Sequence, residues 1–367
     1  MSDPSMPPGE PPAPLPMSTV PRTAGGLGAV VAAGSALLVV ALLGLTLAGR
    51  EIHAAPAWLA VPVLLLPYLY AAAGLSLFSF WIVAPDRREP PVLLVVVLAA
   101  AAALWGSSWA ARGVEPTAGE PLRVMSWNVR RLWGGADDGG DALQCAVATI
   151  AEADPDVVTL LEVSRDDVDK LSAALQLTCV HGTYNGSTRS DRGGLASCVR
   201  GDRWSLKSGS ALRYSDAVPW FYVSTEVERE GRVVNLLAVH LRPYDLRRLD
   251  ESFSLRAVAS VQETYRSQGD QSAALLRRVE RFADPTLLAG DFNSTRDTAL
   301  HVALREHLTD VWERGGFGFG ATVTALGQLP LRIDYIYASA DFDVVGASVP
   351  DVGCSDHQPV VGEVVLR

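Results

Sequence analysis

Three long uncharged stretches near the start of the chain set the first constraint. Gly25–Gly49, Ala54–Pro85 and Pro90–Ala111 run for 25, 32 and 22 residues without an acidic or basic side chain. A helix crossing ~30 Å of hydrocarbon needs about 20 apolar residues, so each stretch is long enough for one crossing. This argues against a plain cytosolic enzyme. It argues equally against a wholly embedded transporter, because residues 116–367 have the composition of an ordinary water-soluble domain. The 49% apolar content is therefore an average over two unlike halves.

The expected organisation is a Pro-rich disordered tail (1–24), three transmembrane helices (25–111), a linker (112–121) and one soluble domain (122–367). Pro56, Pro62 and Pro67 predict an irregular or kinked start to the second crossing. Trp58, Tyr68, Tyr70, Trp81, Trp105 and Trp109 include candidate interfacial anchors. The alternative for the first stretch is a cleaved signal peptide. Arg87 and Arg88 favour an inside loop between the second and third crossings, which puts the soluble domain outside a multi-pass cell membrane protein. Nine linker residues, Arg112–Glu120, reach at most roughly 30 Å, so the soluble domain hangs close to the bilayer.

Charge bears on the partner. Residues 1–115 hold 5 basic and 6 acidic side chains; the remainder holds 26 and 35, a net −9. Such a domain repels a polyanion, and duplex binding needs a phosphate-neutralising basic face. Nucleic acid is possible but not favoured; a membrane lipid or lipid-linked phosphate is the favoured partner. Cys145, Cys179, Cys198 and Cys354 have no zinc spacing. Outside the cell one disulfide is possible, with Cys179–Cys198 the preferred pair; the alternative is four buried free thiols.

Apolar runs predict strands at Leu122–Trp127, Val157–Leu161, Leu195–Val199, Trp220–Val227, Val233–Val239, Thr286–Ala289, Ile333–Tyr337, Phe342–Ala347 and Val360–Leu366. Helical spacing predicts helices at Asp141–Ala153, Asp166–Leu177, Asp250–Gln268, Gln271–Phe282 and Asp297–His307. The mixture implies α/β layers with mixed sheets.

Polar residues recur just beyond these runs: Asn128, Glu162, His240, Asp291 with Asn293, Asp334, and Asp356 with His357. Side chains at strand ends converge on one crevice in sheet enzymes. A lone strand-end Asp is more often a turn residue, but here one pattern recurs six times. Carboxylate, carboxamide and imidazole groups suit a hard cation and acid–base work. Asp356 sets the His357 tautomer if the two side chains meet; alternatively, neighbours in an extended segment point apart and another acid does so. His301, His307 and His181 read as ordinary surface or core residues.

In order, Ser126-Trp127-Asn128-Val129, Leu161-Glu162, His240-Leu241, Gly290-Asp291-Phe292-Asn293, Arg332-Ile333-Asp334-Tyr335-Ile336 and Ser355-Asp356-His357-Gln358-Pro359 resemble the motifs of the endonuclease/exonuclease/phosphatase superfamily. The resemblance spans about residues 122–367. It implies a four-layer α/β sandwich, two packed mixed β-sheets flanked by helices, and Mg²⁺- or Mn²⁺-dependent cleavage of phosphoesters or phosphoanhydrides. By the same resemblance Glu162 is the primary metal carboxylate, with Asn128 and Asp356 completing the metal set. Asp291 handles the attacking water and Asn293 contacts phosphate. Asp356–His357 supply the catalytic imidazole, His240 is the second histidine, and Asp334 is a supporting carboxylate. Arg242, and more weakly Arg130, are candidate phosphate clamps, as Asn128 is a substrate contact. No acid partner for His240 is identifiable, so either His240 or His357 protonates the leaving group. The Gly-rich region Gly315–Leu331, with Phe317 and Phe319, is either a lid or a plain loop.

The combined architecture is similar to membrane-anchored VanJ-type teicoplanin-resistance proteins. That likeness implies a lipid-linked substrate such as undecaprenyl diphosphate and a place in cell-wall lipid recycling. The alternatives are a tethered extracellular nuclease, a sphingomyelinase-like phosphodiesterase, or an inert sensor domain. The full set of polar residues argues against the last.

Overall fold

The computed structural model describes residues 24–50, 59–83, 88–110, 119–130, 142–183, 193–216, 218–244, 255–325 and 328–367. The Pro-rich tail, the Arg87 side of the second loop and most of the linker lie outside them.

The apolar part forms helices α1 (Ala24–Ala48), α2 (Ala60–Leu64), α3 (Leu66–Val83) and α4 (Glu89–Trp105), closed by a 3-10 turn at Gly106–Trp109. Prolines divide the second stretch. Pro67 has no N–H to donate, so the chain breaks at Leu65, whose carbonyl instead receives the amides of Tyr68 and Leu69. The helices pack on one another through Val39, Leu42, Leu66, Tyr70, Leu77 and Val97.

The expectation of three crossings is met only in part. Among the described residues, one helix, α3 at 18 residues, is long and apolar enough to cross a membrane. The apolar stretches Ala33–Ala48 and Pro90–Trp105 are shorter.

The rest is built from β1 (Pro121–Asn128), α5 (Ala142–Ala153), β2 (Val157–Val163), α6 (Arg165–Leu175), β3 (Leu177–Thr183), β4 (Gly194–Arg200), β5 (Ser205–Ser215), β6 (Val218–Arg229) and β7 (Arg232–His240). There follow α7 (Leu255–Val279), β8 (Thr286–Asp291), α8 (Ala299–His307), β9 (Thr309–Asp310), α9 (Val311–Gly315), β10 (Val323–Ala325), β11 (Leu329–Leu331), β12 (Asp334–Ala338), β13 (Phe342–Ser348) and β14 (Val360–Leu366). One six-stranded sheet has the order β13-β14-β1-β2-β4-β3 and the other β5-β6-β7-β8-β12-β9. Both are mixed: β1–β2 and β7–β8 are parallel pairs and the remaining pairs are antiparallel.

Successive strand residues point to opposite faces, and the inner strands are apolar on both. Val124, Val157, Leu236, Leu287, Ile336 and Val364 meet between the sheets. Their neighbours Met125 and Val158 face outward onto Ile150 of α5 and Leu171 of α6. Leu237 and Leu288 face outward onto Leu275 of α7 and Leu304 of α8. The result is helix, sheet, sheet, helix, as the resemblance implied. Each fully buried aliphatic side chain contributes about 1.5–3 kcal/mol, and the inner strands supply them on two faces at once.

Several elements escape the sequence pattern. β3 and β5 are edge strands; Ser205–Ser215 is largely polar and exposed, as edges tend to be. The two helices expected over 250–282 are one, Leu255–Val279, running through Gly269. Gly315–Leu331 is not a plain loop: it follows α9 and carries the paired strands β10 and β11. Gly320 has φ +65°, and a Cβ there would run into the Trp312 ring. Cys179–Cys198 is a disulfide between register partners on β3 and β4. A second disulfide, Cys145–Cys354, joins residues 209 apart in sequence.

Candidate active site

The two parallel pairs decide where chemistry sits. β1 and β2 run together, with Asn128 ending β1 and Glu162 next to last in β2; β7 and β8 run together and end at His240 and Asp291. The second pair is in register so that His240 faces Asp291 across the ladder. β12 begins at Asp334, itself the register partner of Asp291. His357 lies on the segment entering β14, beside β1. Six polar side chains from both sheets thus share one edge.

Local backbone features aim them. Gly290 has φ +155°, and any Cβ would collide with the Val239 carbonyl oxygen; only glycine lets β8 lie this close to β7. Glu162 has φ 54° and sits where the β2–β4 register shifts, a bulge that re-aims its side chain. Asn293 at φ 48° and Arg130 at φ 42° share that left-handed conformation. Backbone strain of about 1–3 kcal/mol per residue persists where surrounding structure enforces it, and it gathers at functional sites.

Asn128 is the hub. Its Nδ2 donates to Glu162 Oε1 at 3.3 Å and to Asp291 Oδ2 at 3.1 Å, while Oδ1 accepts from the Arg130 amide at 2.9 Å. Asp291 Oδ1 accepts the Asn293 amide at 2.8 Å. His240 Nε2 and His357 Nε2 lie 3.5 and 4.0 Å from Asp291 Oδ2. His357 Nδ1 is 2.9 Å from Asp334 Oδ2.

The two histidines are in opposite states. Burial pushes His240 down to about 4, only partly countered by Glu162, so it is neutral near pH 7. Burial alone would also lower His357. The carboxylate bonded to its Nδ1, Asp334, with Asp291 and Asp356, outweighs burial and raises it to about 10. Burial and then Asp334 raise Asp291 to about 8. A neutral imidazole, an imidazolium and a carboxyl that titrates near neutrality therefore face one another.

Two expected roles are displaced. Asp356 does not meet the His357 ring; its side chain is 43% exposed and pairs with Arg130 at 2.8 Å. Asp356 lies in a bend just before His357, its carboxylate turned to Arg130, and Asp334 holds the imidazole instead. Arg242 is not aimed at the cluster: its guanidinium meets Glu263 of α7 at 2.9 Å. Asn293 contacts the site through its backbone, its side-chain Nδ2 donating to the Leu241 carbonyl at 3.0 Å. His301 is buried between Ser294 and Tyr337.

Other residues act through these. Trp127 Nε1 donates to the His357 carbonyl, and Ser355 Oγ donates to that of Asn128. Thr322 Oγ1 accepts the amides of Ile333 and Asp334, while Val323 bridges His357. The hairpin β10–β11 thereby holds both halves of the Asp334–His357 pair. Trp127 and Ser355 belong to the sequence motifs; Thr322 carries no sequence signal, because its role depends on contacts across 11 residues.

The Exo_endo_phos model of the endonuclease/exonuclease/phosphatase family matches residues 125–357. The chain belongs to this family. That span begins beside Asn128 and ends at His357, so the matched residues are those that build the cluster. Members of the family are phosphohydrolases, and this chain has their hydrolase fold. It is similar to the endonuclease/exonuclease/phosphatase of Bacteroides vulgatus, with 15% identity and TM-score 0.53 over 68% of this chain and 100% of that one. It is also similar to the mannosyl-6-phosphatase of Bacteroides thetaiotaomicron, with 18% identity and TM-score 0.52 over 67% of this chain and 100% of that one. The catalytic domain of human Nocturnin with a bound sulfate matches at 17% identity and TM-score 0.52, over 67% of this chain and 94% of that one. At these identities the likeness is one of fold. No match was found among curated proteins.

Proposed function

We propose that this chain is a membrane-anchored, divalent-metal-dependent phosphohydrolase that cleaves a lipid-linked phosphate at the outer membrane face. The carrying observation is the cluster of Asn128, Glu162, His240, Asp291, Asp334 and His357 on an enzyme whose catalytic half packs against apolar helices.

The donor set fits a hard cation. Glu162 and Asp291 share one Asn128 amide, Asp334 adds a third carboxylate nearby, and Asp334 Oδ1 is buried without a hydrogen-bond partner. Carboxylate and carboxamide oxygens are Mg²⁺ or Mn²⁺ ligands. Glu162 would hold the ion beside Asp291, its carboxylate positioned by the Asn128 Nδ2 group, and the ion would neutralise phosphate oxygens and polarise phosphorus.

The protein groups then divide the proton work. Asp291 Oδ2 takes a proton from the attacking water, whose oxygen stays on phosphorus. The phosphorus–oxygen bond to the leaving group breaks, and His357 Nε2 donates its proton to that oxygen. Asp334 keeps His357 protonated and oriented. His240, neutral, can hydrogen-bond without adding charge.

Three observations support the membrane side. Exposed Leu37, Val40, Leu75, Ile82, Val83, Val95 and Leu98 make α1, α3 and α4 apolar on their outer faces, which fits a lipid surround. α3 is long enough to span it, with α1 and α4 packed beside it. Two disulfides fit an oxidising compartment. The −9 charge of residues 116–367 disfavours nucleic acid. The likeness to VanJ-type resistance proteins points to undecaprenyl diphosphate and cell-wall lipid recycling.

A substrate panel tests this. The purified full chain with Mg²⁺ or Mn²⁺ is offered undecaprenyl diphosphate, sphingomyelin, a phosphoinositide and DNA. Release of phosphate from the first is expected; turnover of DNA alone would replace this reading with the tethered nuclease.

A further inference from the structure

We infer that the seam between the apolar helices and the catalytic half is a groove for the hydrocarbon chain of the substrate. The inference rests on the lipid-phosphate reading above and adds where the lipid lies.

The two halves meet through specific contacts. Trp105 Nε1 donates to Asp297 Oδ2 at 3.2 Å, and Trp109 packs edge-on against Phe317. Tyr68 donates to the Pro330 carbonyl and packs near Phe319. Beside these contacts lies a partly enclosed cavity of about 50 Å³. Leu59, Val63 and Leu64, from the segment of α2, form one wall. Tyr244, Tyr265, Ala299 and Leu300 form the opposite wall, from the catalytic half.

What marks this cavity is its neighbour. Gln268 and Ser294 also line it. Gln268 Nε2 donates to the carbonyls of Arg242 at 2.7 Å and Asn293 at 3.3 Å. Ser294 follows Asn293 directly, and Tyr244 lies two residues beyond Arg242. The cavity is thus tied to the cluster through Asn293, whose carbonyl accepts from the lining residue Gln268 and whose amide donates to Asp291 Oδ1, and its other wall belongs to the apolar helices. A lipid-linked phosphate has this layout: a charged head and a chain that must stay in hydrocarbon. A volume of this size admits a short stretch of chain next to the phosphate, with the remainder left in the membrane.

Photolabelling locates the chain directly. The full protein in nanodiscs is irradiated with farnesyl phosphate carrying a diazirine on its isoprenoid chain. Labels on residues 59–64 and 294–300, competed by unmodified farnesyl phosphate, are expected. Labels elsewhere, or labels that farnesyl phosphate does not compete, overturn the groove. A kinetic arm uses Ala299→Phe, which fills the cavity. The ratio of kcat/KM for farnesyl phosphate over phenyl phosphate is expected to fall about tenfold; an unchanged ratio in a folded variant contradicts the proposal. If Ala299→Phe does not fold, the wild-type labelling decides alone. Competed labelling at both segments with no phosphate release from either substrate would uphold the groove and remove the hydrolase reading.

Discussion

His357 Nδ1 lies 2.9 Å from Asp334 Oδ2, while the adjacent Asp356 turns away to Arg130. The acid that governs this imidazole is therefore 23 residues upstream, on the neighbouring sheet. The raised folded value of about 10 stands above the ordinary 6.5. Protonated His357 accordingly contributes stability in full below about pH 6.5 and loses that contribution as pH rises through about 10. Asp334→Asn is expected to move the His357 titration well down, followed by imidazole proton shifts in metal-free protein. Asp356→Asn, paired to Arg130, is expected to move it far less. Equal shifts in the two variants would contradict the assignment.

Asp291 carries the same sign at lower pH. Its carboxyl is raised from 3.8 to about 8 by burial and by Asp334, so its contribution to stability is full below about pH 3.8 and is lost as pH rises through about 8. Asp291→Asn should lower turnover by about 10²–10⁴. The same substitution should leave the melting temperature unchanged or raise it above about pH 8. A large fall in melting temperature would make Asp291 a structural residue instead.

Gly290 fixes the approach of β8 to β7. Gly290→Ala places a methyl group against the Val239 carbonyl oxygen at a φ of +155°. A loss of about 3 kcal/mol or more is expected, by the scale of incompatible backbone substitutions. That is roughly 6–12 °C in melting temperature for a domain of this size. Thermal unfolding with retention of the wild-type value would mean that the strands separate readily there.

The two disulfides close loops of very different length, 209 and 19 residues. Chain-entropy arguments make the longer one more stabilising by about 2 kcal/mol. Replacing Cys145 and Cys354 with Ala should lower the denaturant midpoint more than replacing Cys179 and Cys198. The reverse order would show that the pairs act through local packing.

Much of the site is legible because Asn128, Glu162, His240 and Asp291 stand at the ends of the apolar runs that form the two parallel strand pairs. The pairings within the site were less so. Adjacency favours Asp356 for His357, but the bend before His357 turns Asp356 to Arg130, and the sheet supplies Asp334 instead. Arg242 looked free to clamp phosphate until α7 brought Glu263 to it. The edge strand Ser205–Ser215 lacks an apolar alternation because it buries little. Of the 32-residue apolar stretch, Leu66–Val83 is long and apolar enough to cross a membrane, with the chain breaking just before it at the proline-rich start. Cys145–Cys354 depends on contacts between chain ends that no local pattern encodes.

The central claim is that the Asn128–Glu162–Asp291–His357 cluster hydrolyses a lipid-linked phosphate with a divalent cation. The direct measurement is phosphate released from undecaprenyl diphosphate by the reconstituted full chain across a Mg²⁺ titration, beside His357→Ala and Glu162→Gln. Release that requires Mg²⁺, is abolished by chelation and falls by about 10²–10⁴ in both variants is the predicted result. Release that persists without metal, or that both folded variants retain at the wild-type rate, would contradict it.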